Sequence, residues 1–367
     1  MLNYSTCEIE DIAKAIQLSV SVFKPNMKEQ FLCLFHESNR DHMFIAKEED
    51  QIVSMVNYYP SVVKHPLFRF KVASVGSVCT HPNFRRRNIA YELLLNAEKQ
   101  MIKEDIALTI ISGGGGIYTK FGSNEVGNIF EYSLSRHFIF PKNQIEVVPF
   151  ENKYLQPMFE IYKKETLSFE RTFDEFKLLF QGQTTPDSWA DYPTFIVRKD
   201  QETIGYIILN RERSKRTISV KEFAGNRKLI LSALSLVLKQ TKKLSVRLYL
   251  DPTDEMNAYL LSVHKKNTDL HASIKIINPL LLFQNLRTYF QVALGEDSTY
   301  FNVNIAGEDI NLIYKDFVHQ FDIYQLNQLV FGQSNDIIKQ IPQKEMREVL
   351  EQVFPIPFVW VNNLNYQ

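Results

Sequence analysis

Residues 78–94 read VCTHPNFRRRNIAYELL. Arg85, Arg86 and Arg87 stand side by side at the entrance of an apolar-striped helix. Like charges repel, and a helix N-terminus already carries partial positive charge. The arrangement therefore suits a place where something strongly anionic sits. Downstream, Ile89, Leu93, Leu94, Ala97 and Met101 recur at the spacing of one helical face. Upstream, a strand runs from about Val72 to Cys79, and IALTII (106–111) reads as a short buried strand. The result is a strand–turn–helix–strand unit. The first-turn N–H groups of its helix are free of intrahelical partners. Phosphate-type oxygens accept from such groups, and arginine adds charge-assisted bonds.

Working outward, Ile9, Ile12, Ala13, Ile16 and Val20 mark a helix over 8–22, and a second helical stretch is expected over 27–36. Residues 44–46 and 52–56 flank the polar turn 48–51 as a hairpin. GGGGIYTKFG (113–122) reads as a loop and a short helix; no Gly-Lys-Ser/Thr follows, so it is not a nucleotide-binding P-loop. From about residue 148 the order repeats: a helix, a hairpin over 195–209, a strand at 217–225, a helix over 226–240 and a strand at 245–251. This second unit has no arginine turn. The last hundred residues read as helix, strand pair and helix. A mixed α/β chain is expected, divided into 1–147, 148–272 and 273–367.

Composition bounds the function. The 367 residues are enough for two or three cores. The 42 basic and 42 acidic residues cancel, which argues against nucleic acid as the main partner. Cys7, Cys33 and Cys79 form neither a metal motif nor a disulfide framework, so no metal and a reducing compartment are expected. The acidic start lacks a signal-peptide pattern, and no run approaches the ~18 apolar residues of a membrane span. These features lead us to expect a cytoplasmic protein with no membrane partner.

The stretch 78–94 resembles the acyl-CoA-binding segment of the GCN5-related N-acetyltransferase (GNAT) superfamily, V-x-x-x-P-x-x-R/Q-x-x-G-x-G/A. The resemblance implies that the strand at Val78, Cys79 and Thr80 bonds a pantetheine arm through its backbone. It also implies that Arg85, Arg86, Arg87, Asn88, Ile89 and Ala90 wrap the pyrophosphate of acetyl-CoA, the cosubstrate. The usual glycine is here Asn88, a residue that tolerates positive φ better than most. Tyr118, in GIYTKFG, matches the family tyrosine that returns a proton to the departing thiolate. Taken whole, the chain resembles the enhanced-intracellular-survival (Eis) acetyltransferases. That resemblance implies tandem GNAT-like folds, each a mixed sheet flanked by helices, then a small sterol-carrier-protein-like domain. The second GNAT-like unit would be degenerate. The resemblance also implies direct acetyl transfer to a primary amine of a small molecule or peptide, a hexameric homo-oligomer, and a chain terminus, Gln367, at the active site of the first unit.

Other readings stand beside these. His81 suits a structural role beside the turn, Glu131 could line the cleft as a base, and Cys79 reads as a small buried residue more readily than as a nucleophile. A non-catalytic acyl-CoA sensor or an interaction protein is the alternative function.

Overall fold

A computed structural model describes residues 2–113, 115–141, 143–307, 309–333 and 335–367. Strand β1 (Leu2–Thr6) leads into helix α1 (Ile12–Val22) and the single turn α2 (Met27–Gln30). The helix expected over 27–36 thus ends at Gln30. Strands β2 (Met43–Glu48), β3 (Gln51–His65) and β4 (Phe68–Thr80) follow as an antiparallel meander. Helix α3 (Ile89–Lys103) crosses over to β5 (Ile106–Ile111), which lies parallel to β4. The five residues of the expected α3 face are all buried. That burial decides the crossover, because the stripe packs on the face formed by β2, β3, β4 and β5.

Helix α4 (Gly116–Lys120) and β6 (Asn124–Glu125) come next, then β7 (Ile129–Ser135) and β8 (Glu146–Pro149). The second unit continues with α5 (Leu155–Tyr162), β9 (Ser168–Glu170), α6 (Phe173–Gln183), β10 (Ala190–Asp191), β11 (Thr194–Lys199), β12 (Glu202–Glu212) and β13 (Thr217–Gly225). Helix α7 (Arg227–Thr241), β14 (Ser245–Leu250), β15 (Lys265–Thr268) and β16 (Ser273–Ile276) close it. The first sheet runs β1-β2-β3-β4-β5-β16-β6, with β9 on β3; the second runs β15-β7-β14-β13-β12-β11-β8, with β10 on β12. Two strands therefore change places. β7 leaves the first unit and pairs with β14 and β15, while β16 returns to lie between β5 and β6.

The C-terminal segment forms a three-stranded antiparallel sheet from residues 301–306, 309–314 and 317–321, covered by helices. Its apolar side is continuous with the first sheet: Phe70, Val72, Ile110 and Ile274 share one cluster with Leu326, Phe331 and Phe358. The final residues then thread back between the two large sheets. Arg171 donates to Asn365 Oδ1 at 2.7 Å and to both oxygens of Glu222 at 3.0 and 2.7 Å. The Leu364 N–H donates to Glu222 as well.

The crossing of the exchanged strands leaves no room for a side chain at Gly127. A Cβ there would stand 2.3 Å from the Leu270 nitrogen and 2.7 Å from the Asp269 carbonyl carbon. Both are backbone atoms, held where Leu270 N–H donates to Val126 O at 3.0 Å. Gly127→Ala is expected to lower unfolding free energy by about 2–3 kcal/mol, as overpacking does, read as a shift of the urea midpoint.

Candidate active site

The site begins with a break in strand pairing. After a register shift between Lys71 and Val72, β4 stays paired with β5 only as far as Val75↔Ile111. On its other side β4 stays paired with β3 up to Thr80↔Ser54, with a register shift between Met55 and Asn57 of β3. Ser77 carries the distortion, at φ 51°, and its hydroxyl meets that of Ser19 on α1 at 2.8 Å. A bulge bends its strand and ends pairing on one side. Residues 76–80 thus face a V-shaped opening with one row of backbone groups unpaired toward β5.

The chain terminus enters this opening. Ser112 Oγ donates to the main-chain oxygen of Gln367. A Cβ on Gly76 would come within 2.7 Å of the Gln367 carbonyl carbon, so close approach requires glycine there. Gln367 is buried, and its Oε1 has no partner among the described residues. Directly across the ladder from Gly76 stands Asn57, fully buried, with neither amide atom hydrogen-bonded among the described residues. Cross-strand partners share a face, so Asn57 lies on the same side of the sheet as Gln367. Buried polar groups are rarely left unsatisfied without a functional reason. The sequence offers one weak signal for Asn57, a polar residue inside the run IVSMVNYY.

Beyond the open edge lies the arginine turn. Arg85 donates to Thr80 O at 3.2 Å, and Arg87 donates to Asn83 O at 3.3 Å and lies over the Phe84 ring. All three arginines are exposed, and none has a carboxylate within 4.0 Å among the described residues. Arg86 and Asn88 have φ of 64° and 57°, so Asn88 takes the left-handed conformation expected where the motif has glycine. The Asn88 side chain does not cap α3, which leaves the first-turn N–H groups for an outside acceptor. Ile89 is a core residue and Ala90 is half-buried; each can offer only its backbone to an anion.

His81 accepts from the Asn83 N–H at 3.4 Å and packs edge-on to Phe84, a structural role. Val78 packs on the α3 core, and the Thr80 hydroxyl meets that of Ser54 at 2.8 Å. Cys79 is buried, and burial pushes its thiol up to about 12, which removes it as a nucleophile near neutral pH. Tyr118, on α4, lays its ring beside Gly113; the phenol has no partner among the described residues. Burial, with a smaller contribution from neighbouring Cys79, raises it to about 12. The phenol therefore keeps its proton well past neutrality. Gly114 of the glycine run lies outside the described residues. Glu131 sits in β7 of the second sheet, 3.7 Å from Arg247, and so takes no part in this opening.

Residues 3–125 match the family model of the GNAT acetyltransferase domain. Among solved structures, a GCN5-related N-acetyltransferase from Anabaena variabilis is similar at 13% identity and a TM-score of 0.64, covering 98% of this chain and 100% of that one. A probable N-acyltransferase from Enterococcus faecalis is similar at 12% identity and 0.66, over 98% and 97%. Eis1 from Mycobacterium abscessus is similar at 12% and 0.63, over 97% of each chain. These likenesses show the fold. No curated protein sequence matches. The domain match supports acyl transfer in general. No helix among the described residues is long and apolar enough to cross a membrane.

Gly76→Ala should push the terminus out of the opening. Faster hydrogen exchange at the Tyr366 and Gln367 amides, with little change elsewhere, is the expected result.

Proposed function

We propose that the chain is an acetyl-CoA-dependent N-acetyltransferase acting on a primary amine. One observation carries the reading: an unpaired strand edge leads straight to three arginines that have no counter-charge among the described residues. The residues fit an acyl-CoA. The edge from Val78 to Thr80 offers backbone partners to an amide-bearing arm, and the turn from Arg85 to Ala90 offers guanidinium and N–H donors to a pyrophosphate.

Acetyl-CoA supplies the thioester carbonyl that the amine attacks. The chain's own part is to move two protons. The main-chain carboxyl of Gln367, to which Ser112 donates, would accept the proton the amine must lose. Asn57 would hold a water between them. The Tyr118 phenol donates its proton to the departing sulfur, a role that its raised pKa permits at every pH below about 12. The acceptor is a small-molecule or peptide amine, and a homo-oligomer, hexameric in the resembling family, is part of the proposal.

Arg85→Ala with Arg86→Ala is expected to weaken acetyl-CoA binding by roughly 2–4 kcal/mol, the loss of two charge-assisted contacts. Unchanged affinity in calorimetry rejects the assignment. Tyr118→Phe should lower kcat roughly 100-fold, the scale of general acid catalysis, while acetyl-CoA affinity stays nearly intact. Weakened binding at unchanged kcat is incompatible with that role. Saturable acetyl-CoA binding without thiol release on any amine favours the non-catalytic sensor instead.

A further inference from the structure

The second unit repeats the opening of the first. β13 pairs with β14 only over Thr217↔Ser245 to Ser219↔Arg247. It stays on β12 through Gly225, with Lys221 as the extra residue of a bulge. β14 meanwhile continues along β7 to Leu250. The wedge between them is a cavity of about 730 Å³, within the range of small-molecule sites. In the first unit the wedge receives Gln367. Here no segment among the described residues fills it.

The chemistry of this second wedge differs at the helix entrance. Asn226 caps the Leu229 N–H at 3.1 Å. Glu165 accepts from the Gly225 N–H at 2.9 Å and from both terminal nitrogens of Arg227 at 3.0 and 2.6 Å. Asp254 takes the Arg227 Nε at 3.1 Å. The place that would bind an outside anion is thus filled by the chain's own carboxylates. Elsewhere on the wall, Glu202, Asp251 and Glu255 have no cationic partner among the described residues. The remaining bases are Lys164, which is exposed, and Lys221, whose ammonium turns to Gln183 at 2.9 Å. The aromatic part of the wall includes Tyr249 and Trp360, stacked with centroids 4.2 Å apart and planes 4° apart.

From this geometry we propose that the wedge between β13 and β14 is a second ligand site, which takes an elongated organic cation bearing amine groups. The unpaired β13 edge and the aromatic faces hold its chain. Glu202 and Glu255, which have no side-chain partner among the described residues, hold its ammonium ends, and the aromatic faces add cation–π attraction. Glu165 and Asp254 share the single Arg227 guanidinium, and the net negative charge that remains disfavours phosphates. The proposal is independent of acyl transfer in the first unit.

The test uses the full chain with 1,6-diaminohexane as probe. Binding is read by calorimetry and by the Trp360 indole N–H signal in NMR, assigned with Trp360→Phe. Saturable binding that moves this signal is expected. Glu202→Lys with Glu255→Lys, both exposed and free of described partners, should weaken it at least tenfold, with acetyl-CoA titration unaffected. An unmoved Trp360 signal, or full affinity in the double variant, overturns the proposal. Tighter binding of inorganic pyrophosphate than of the diamine at Trp360 also overturns it.

Discussion

The buried pair of Arg171 and Glu222 organises the middle of this molecule. Both side chains are out of solvent, and taking two charges out of water costs several kcal/mol each unless every polar atom is met. Here they are met. The guanidinium spends its donors on Glu222 and Asn365 and lies over the Tyr162 ring at 4.0 Å. The carboxylate also accepts from the Tyr206 hydroxyl and the Leu364 N–H. Two of these partners, Leu364 and Asn365, belong to the terminal segment. Without that segment the pair would be left short of acceptors and donors, and without the pair the segment would keep only its bonds to Ser61 and Ser112 of the first unit. The position of Gln367 follows, since only Tyr366 separates it from Asn365.

The strand exchange has a related effect. With β7 in the second sheet and β16 in the first, neither large sheet is complete within its own stretch of chain. The connections cross at Gly127, where Val126 and Leu270 bond backbone to backbone. The two openings are consequently held in one frame, and the tail that lines the second, Phe358 to Asn363, goes on to fill the first.

Much of the first unit was legible in the sequence because its signals are local. The α3 face, the buried strand 106–111 and the arginine turn all follow from spacing and charge over a few residues, and Asn88 adopts the left-handed conformation that its place in the motif asks for. What escaped depends on partners far along the chain. An alternating strand such as 129–135 does not say which sheet edge it joins, and this is why Glu131 read as a cleft residue and lies beside Arg247 instead. The isolation of Asn57 arises only because β4 bulges opposite it. The expected helix over 27–36 stops at Gln30, whose amide is drawn to Thr185 and Asp187 of the second unit.

The two wedges show that backbone and chemistry are separable in this fold. Both arise from the same device, a bulge that parts two parallel strands ahead of a helix entrance. At Arg85 to Asn88 the entrance has three exposed guanidiniums, no acid paired with them among the described residues, and a helix that Asn88 leaves uncapped. At Asn226 and Arg227 it has a capped helix and one guanidinium held by two carboxylates. A helix dipole attracts anions at both places, so it cannot decide the difference. The decision lies with Glu165, a residue about sixty positions from the helix it serves. It reaches back to take the N–H of Gly225 and the terminal nitrogens of Arg227. A charge supplied from within the chain turns an anion cradle into a closed joint, and the wedge beside it is left to ligands of the opposite sign.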